Sequence, residues 1–330
     1  MSATVVIGGQ YGDEGKGKII SYLALHDDPD VVARGGGGPN AGHSVEHGGK
    51  KYKIRLVPSG FVNERARLGI GAGVLIDADV FLKEVEQFWL GTRCIVDRRA
   101  TLITQEMKDA DAASETAKKI GTTKTGIGPA QAARACRTAP TVESDARLGK
   151  YLGDVSVLVN DAKKVLVEGS QGFMLSNLFG GYPYVTGKDV SASAICSEVG
   201  LGPRKVDEVV MVIKAYTTRV GSGPLPGEVS VEEAERLGMQ EYGTVTGRPR
   251  RTNPNLIWDE LKMAARINSA SIIALTKLDV KFPACAKKRK YEELPEEAKR
   301  FVAQIEEKVG VPVKLIGTGP DAEDIIDRRQ

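Results

Sequence analysis

The segment Gly12-Asp13-Glu14-Gly15-Lys16-Gly17-Lys18 packs glycines, lysines and acids into one short loop. Glycines let a backbone come close to a phosphate chain, and lysines supply the opposing charge. Gly12-x4-Gly17-Lys18 nearly matches the Walker A spacing, but Ile19 stands where Ser or Thr would bind magnesium. Asp13 is unusual in a phosphate cradle, because it repels phosphate unless a metal sits between them. Its chemistry is that of a Mg²⁺ ligand, a general base, or both. The plain alternative is a solvated loop carboxylate.

Four further segments carry usable chemistry. Asn40-Ala41-Gly42-His43-Ser44 follows four glycines, a turn that exposes backbone carbonyls and N–H groups around a histidine. Gly121–Pro129 is dense in hydroxyls and backbone N–H groups and suits a phosphate monoester. Gly243–Arg251 places three arginines in a Thr/Gly loop, as a carboxylate or phosphate clamp would require. Thr276-Lys277-Leu278-Asp279 follows an apolar run; the Asp can accept hydrogen bonds from guanine, and the lysine stem can stack on the ring. The cluster Lys287–Lys290 reads as a solvated surface.

These segments need elements to position them. Thr4–Ile7 reads as a strand, and Lys18–His26 as the helix after its glycine loop. Strand, glycine loop, helix opens a parallel α/β sheet with a phosphate site. Val31–Ala33, Leu68–Ile70, Val165–Glu168, Glu208–Lys214, Ile272–Leu275 and Val313–Ile316 read as further strands, and Lys51–Leu56 as an edge strand. Asp79–Trp89, residues 104–119, Ser230–Leu237 and Pro295–Val309 read as helices. Residues 138–155 read as irregular, and Lys281–Glu293 as the most linker-like stretch. The alternation favours one large α/β architecture over residues 1–330.

Composition narrows the function class. The chain has 330 residues, 41% of them apolar, and a net charge of +3, which gives no reason to expect nucleic-acid binding. No stretch approaches the roughly 18 apolar residues of a membrane helix, and the first residues lack the features of a secretory signal. Cys94, Cys136, Cys196 and Cys285 form no CxxC pair, so reduced, mostly buried thiols and a cytoplasmic setting are expected. With three histidines in all, a multi-histidine metal site is nearly excluded.

Taken together, the segments resemble the adenylosuccinate synthetase family, in its short archaeal-like form. The likeness runs from Val5 to Arg329 and rests on Gln10–Lys18, Asn40–Ser44, Gly121–Pro129, Glu168–Gly172, Tyr182–Thr186, Thr218–Pro224, Gly243–Arg251, Thr276–Asp279 and Thr318-Gly319-Pro320. The resemblance implies a single-sheet, mostly parallel α/β fold and a homodimer. It implies a ligase that joins the amine of L-aspartate to C6 of IMP, driven by GTP hydrolysis through a 6-phosphoryl intermediate. Asp13, His43 and Lys16 are then the catalytic residues, with Asp13 and the Gly42 carbonyl on Mg²⁺. Gly12, Gly15, Lys16, Gly17, Lys18, Lys277, Asp279, Gly317 and Gly319 would hold the donor nucleotide. Asn40, Thr123, Arg137, Gln171, Thr186, Val220 and Arg248 would hold the acceptor, with Arg137 reaching across the dimer. Val245, Thr246, Arg248 and Arg250 would bind aspartate or order its loop.

The sequence departs from the family pattern at Tyr11, Lys124, Gly187, Gly227, Pro249 and Asn253-Pro254. All but Tyr11 fall in or near the expected monophosphate and aspartate regions. Two alternatives therefore stand beside the IMP reading. One is the phage branch that joins aspartate to dGMP, with ATP or GTP as donor. The other is a guanine-nucleotide switch without ligase chemistry.

Overall fold

The computed structural model describes residues 2–243 and 247–329. Its centre is a ten-stranded sheet. In chain order the strands are β1 (Ser2–Gly8), β2 (Val31–Arg34), β3 (Arg67–Ile70), β4 (Cys94–Asp97), β5 (Leu152–Gly153), β6 (Lys164–Glu168), β7 (Val206–Lys214), β8 (Ile272–Thr276), β9 (Val313–Gly317) and β10 (Ile325–Asp327). Across the sheet they run β10-β9-β8-β7-β1-β6-β2-β3-β4-β5. Only the β9–β10 pair is antiparallel; the other neighbours are parallel.

A parallel sheet buried on both faces needs strands that are apolar on both sides. β1 and β7 meet that need: Val5, Ile7, Met211 and Ile213 enter one core, and Val6, Val210 and Val212 enter the other. The helix Glu296–Val309 covers the first face with Ala298, Val302 and Ile305. Helix α1 (Lys16–Asp27) covers the second with Ile19, Ile20 and Leu23.

Several expected elements take a different form. Lys50–Ile54 does not join the sheet edge; it pairs with His43–His47 as a separate antiparallel ribbon. Residues 104–119 form two helices, Gln105–Ala113 and Glu115–Ile120, because the Ser114 side chain caps the second. The second glycine loop ends early, since Ile127–Ala135 is helical. Lys281–Glu293 is no linker: it folds into compact turns around the buried Cys285, and the Lys287 N–H donates to the Thr318 carbonyl at 2.7 Å. Strand β4 and the helices Ala192–Val199 and Trp258–Asn268 were not legible from periodicity. No helix among the described residues is long and apolar enough to cross a membrane.

The parallel strands bring their carboxyl ends to one rim, where open α/β sheets collect ligands. The segment leading to that rim after Lys50–Ile54 is pinned by buried Glu84, which accepts from the N–H groups of Arg55 (2.6 Å), Leu56 (3.0 Å) and Val57 (2.9 Å). Glu84→Ala strands these donors in a buried setting and should cost roughly 3 kcal/mol. The thermal midpoint of the variant should fall by several degrees, whereas an unchanged midpoint would show that the segment is held by its apolar packing alone.

Candidate active site

The rim encloses a cleft of about 1220 Å³. Its floor is the loop between β1 and α1. Gly12, Asp13 and Gly15 all take left-handed backbone conformations, with φ of 88°, 58° and 91°. Gly15 is the N-cap of α1 and offers no side chain, so the first N–H groups of the helix stay available to an anion.

The two loop acids have opposite fates. Glu14 is fully buried and folds back to accept from the N–H groups of Gln10 (3.1 Å) and Gly12 (2.8 Å). It also pairs with Lys16 Nζ at 2.6 Å. Gly172 packs so closely on this carboxylate and on the Gly12 N–H that a Cβ there would collide with both. Asp13 points into the cleft, 32% exposed, where Oδ2 meets Arg250 Nε at 2.6 Å. It is therefore an engaged group and no mere solvated loop acid.

Lys16 lines the cleft with its charge already matched by Glu14. Lys18, at the Walker lysine position, turns toward the far end of the cleft and donates to the carbonyls of Gly319 (2.5 Å) and Asp324 (2.8 Å). Burial pushes its pKa down to about 8, against the pull of Asp324 and Asp279.

His43 sits opposite the loop, and a Cβ on Gly17 would come within 3.1 Å of it. Its Nδ1 faces Ser59 Oγ at 3.1 Å and lies against Glu168 Oε1. Glu168 ends β6 with no solvent exposure and accepts from the Ser59 N–H (2.6 Å) and hydroxyl (2.8 Å). Arg34, equally buried at the end of β2, lies 4.0 Å from it. Burial alone raises the Glu168 pKa, yet the His43 ring, the Arg34 guanidinium and the Ser59 N–H together hold it at about 2. Burial and then Arg34 lower the His43 pKa, and Glu168 opposes them. These opposing effects leave an ionised Glu168 accepting from Nδ1–H of a neutral ring. The fixed charge of Arg34 already satisfies the carboxylate, and a second buried cation would be repelled. Nε2 is then the ring nitrogen left to meet a ligand.

Other groups complete the cleft. Asn40 Oδ1, both amide atoms of Gln171 and Asp279 Oδ1 are buried without a partner among the described residues. Buried polar atoms of this kind are normally satisfied, so they mark where a ligand's donors and acceptors belong. Thr123 shares a hydrogen bond with Thr125 Oγ1 at 2.9 Å, in a loop pinned by buried Asp111, which accepts from Thr122 Oγ1 and from the Gly126 N–H. Thr186, Val220, Gly42, Lys277 and Gly319 also line the cleft. Gly317 lies just behind it, under Lys18 Nζ.

The three-arginine clamp resolves differently. Arg250 and Arg248 line the cleft, and Arg248 donates to the Gly121 carbonyl at 3.0 Å, tying the arginine loop to the second glycine loop. Arg251 instead pairs with Glu228 and braces the Gly221 and Gly223 carbonyls. Val245 and Thr246 fall outside the described residues. Arg137 is exposed, left-handed at φ 64°, and outside the cleft.

Sequence reasoning assigned no role to Glu14, Arg34, Glu168 or Glu241. A charged residue closing an apolar strand, as in Val165–Glu168 and Val31–Arg34, was the one available signal. No three His, Cys, Asp or Glu side chains cluster as a metal site among the described residues. Mg²⁺ usually takes one or two carboxylates and completes its shell with water and phosphate oxygens, so Asp13 with a backbone carbonyl fits that ion.

The Glu168 geometry carries a pH prediction. A depressed folded pKa stabilises the chain above the unfolded value of 4.5, and the stabilisation is lost as pH falls toward 2. Glu168→Gln should cost about 3–5 kcal/mol at neutral pH by leaving Arg34 unmatched. The gap in thermal midpoint between wild type and variant should narrow between these pH values. A pH-independent gap would contradict the ionised form.

Comparisons with known proteins agree on one family. The adenylosuccinate synthetase family model matches residues 5–144, 138–285 and 281–326. The chain is 53% identical to the adenylosuccinate synthetase of Methanococcus aeolicus over the whole of both proteins. It is 53% identical to that of Thermococcus sibiricus, covering 100% of this chain and 99% of the other. Among solved structures, the fully ligated adenylosuccinate synthetase of Plasmodium falciparum aligns with a TM-score of 0.91 at 28% identity, over 99% of each chain. The cyanophage S-2L succinoaminodeoxyadenylate synthetase, bound to dGMP and dATP, aligns at 0.84 and 26% identity, over 100% of this chain and 96% of that one.

Proposed function

The chain belongs to the adenylosuccinate synthetase family, and on that premise we propose how its cleft joins the amine of L-aspartate to C6 of IMP. The observation that carries the reading is the set of buried polar atoms on Asn40, Gln171 and Asp279 that have no partner among the described residues, in the same cleft as Asp13 and His43. The dGMP-using alternative has less support. Relatives at 53% identity across the full chain are adenylosuccinate synthetases, whereas the phage enzyme stands at 26%. A switch would leave the His43 dyad and the arginine loop without a task.

The 6-oxo group of IMP is a poor leaving group and must first be phosphorylated. Asp13 takes the N1 proton, and O6 attacks the γ-phosphorus of GTP as the bond to GDP breaks. The amine of aspartate then adds at C6 and loses a proton, and inorganic phosphate departs. Bound Mg²⁺, held by Asp13 and the Gly42 carbonyl, would neutralise phosphate charge. His43 Nε2 meets the transferring phosphoryl group. The negative charge arriving there favours protonation of the ring, which then donates on both sides, to phosphate and to Glu168. Lys16 and the α1 N-terminus add fixed positive potential. Catalysis is positioning plus electrostatics, as in phosphoryl transfer generally.

Asp279, Lys277, Gly317 and Gly319 hold the guanine of GTP, with Lys18 bracing that end, and Gly12, Gly15 and Gly17 admit its phosphates. Asn40, Thr123, Gln171 and Thr186 hold IMP, with Val220 and Arg248 at its ribose. Arg248 and Arg250 take the aspartate carboxylates, together with Val245 and Thr246. Aspartate binding then draws Arg250 from Asp13, which frees the base when all substrates are present. Arg137, exposed on its own subunit, acts on the IMP phosphate of a partner in a homodimer. One α/β unit spans residues 1–330. The cytoplasm suits the free thiols Cys94, Cys136, Cys196 and Cys285.

Phosphate release with Mg²⁺, GTP, IMP and L-aspartate should require all three substrates and yield adenylosuccinate by mass. Activity with dGMP alone would overturn the IMP assignment, and GTP hydrolysis without aspartate would favour the switch. Asp13→Asn should lower kcat by roughly 10²-fold to 10⁴-fold, the usual worth of a general base.

The dimer has its own test. Asp13→Asn and Arg137→Leu, each nearly inactive, should regain about a quarter of wild-type activity when mixed and allowed to exchange, because half the dimers then hold one intact site. No regain would place Arg137 in its own subunit's chemistry or in none.

A further inference from the structure

In the wall of the cleft lies a charge cluster, centred on Glu241, that the reaction does not use directly. Lys214, at the end of β7, is fully buried, and its Nζ donates to Glu241 Oε2 at 3.0 Å and to the Thr218 hydroxyl. The Tyr216 hydroxyl donates to Glu241 Oε1. Lys277 Nζ approaches the same oxygen at 3.9 Å. One carboxylate thus faces a buried cation on one side and, on the other, the lysine at the end of β8.

The backbone of Glu241 has a second role. Its carbonyl accepts from the Arg250 N–H at 2.8 Å and from Gln240 Nε2 at 2.9 Å. Arg250 in turn meets Asp13 at 2.6 Å. A continuous set of contacts therefore runs from Lys277, through Glu241 and Arg250, to Asp13.

We propose that Glu241 is a positioning residue that fixes Lys277 at the donor-base end and Arg250 at the aspartate end of the cleft at once. The inference rests on the function proposed above. Glu241 is tethered by Lys214 and Tyr216 to the centre of the sheet, so it cannot drift with either loop. A lysine placed against a base must keep its ammonium head matched, and Glu241 supplies the opposing charge. An arginine that receives a carboxylate must be held at its backbone, and the Glu241 carbonyl does so. Loss of the side-chain charge removes the match to Lys277 and loosens the tether to Lys214 that holds the Glu241 carbonyl against Arg250. Both binding ends should therefore weaken together, although Glu241 lies outside the proposed transfer chemistry.

The test uses the full chain, with Glu241→Gln and the double variant Glu241→Gln/Lys214→Met. The glutamine keeps the shape and a hydrogen-bond acceptor for Tyr216 but leaves Lys214 without a counter-charge, so the single variant loses stability. The methionine removes that stranded cation. Steady-state assays at saturating IMP should show KM for GTP and for aspartate each raised by about tenfold in both variants, with kcat changed less. The double variant should regain the thermal midpoint but not the KM values.

KM values within about twofold of wild type in both variants would overturn the proposal. So would a double variant whose KM values return together with its midpoint, since Glu241 would then serve stability alone. A wild-type protein without ligase activity would overturn the functional reading, and this inference with it, before any variant is measured.

Discussion

The charge on Glu168 is the constraint around which the rest of the cleft is arranged. A carboxylate with no solvent exposure is unstable unless its oxygens are fully engaged. Here the partners come from three separate parts of the chain: Arg34 from the neighbouring strand β2, Ser59 from the turn after the ribbon, and His43 from the ribbon itself. None can move without exposing a buried charge. The sheet centre, the ribbon and the Ser59 turn are thereby locked to one another. The same bond engages Nδ1 of His43 and leaves Nε2 as the nitrogen for a ligand in the cleft that the residue lines. Stability and catalytic geometry depend on one ion.

The phosphate loop shows the same economy at its own scale. Asp13 and Glu14 are adjacent and chemically alike, yet one closes the loop and the other serves the cleft. Backbone conformation makes the division: left-handed Gly12, Asp13 and Gly15 turn the chain so that Glu14 meets inward-facing N–H groups. Lys16 follows Glu14 inward, and its field at the cleft is correspondingly softened. An ordinary Walker loop meets phosphate with backbone N–H groups and a lysine; this loop also carries two acids, one that closes the loop and one that faces the cleft.

The cleft is assembled from loops at the carboxyl ends of parallel strands, which explains its breadth. Two nucleotides and an amino acid present phosphates, two bases and three carboxylate or amine groups. No single loop could supply complements to them all. The tie from Arg248 to Gly121 and the contact of Arg250 with Asp13 brace the loops against one another.

How much of this was legible in the sequence depended on whether chemistry was local. The glycine loop, the His43 turn, the Thr276–Asp279 run and most of the central parallel strands could be read along the chain, because glycine spacing and β-branched runs are properties of neighbouring residues. Strand β4 and the helices Ala192–Val199 and Trp258–Asn268 could not. The family followed from the same local segments. Tertiary structure alone decided that Lys51–Leu56 leaves the sheet, because strand pairing is set by the partner and not by the strand's composition. It alone separated Asp13 from Glu14, turned Arg251 away from the cleft, and joined Glu168 to Arg34 and His43 and Glu241 to Lys214 and Lys277. Those contacts link residues far apart in the chain. Burial, which gives them their strength, exists only once the sheet has brought them together.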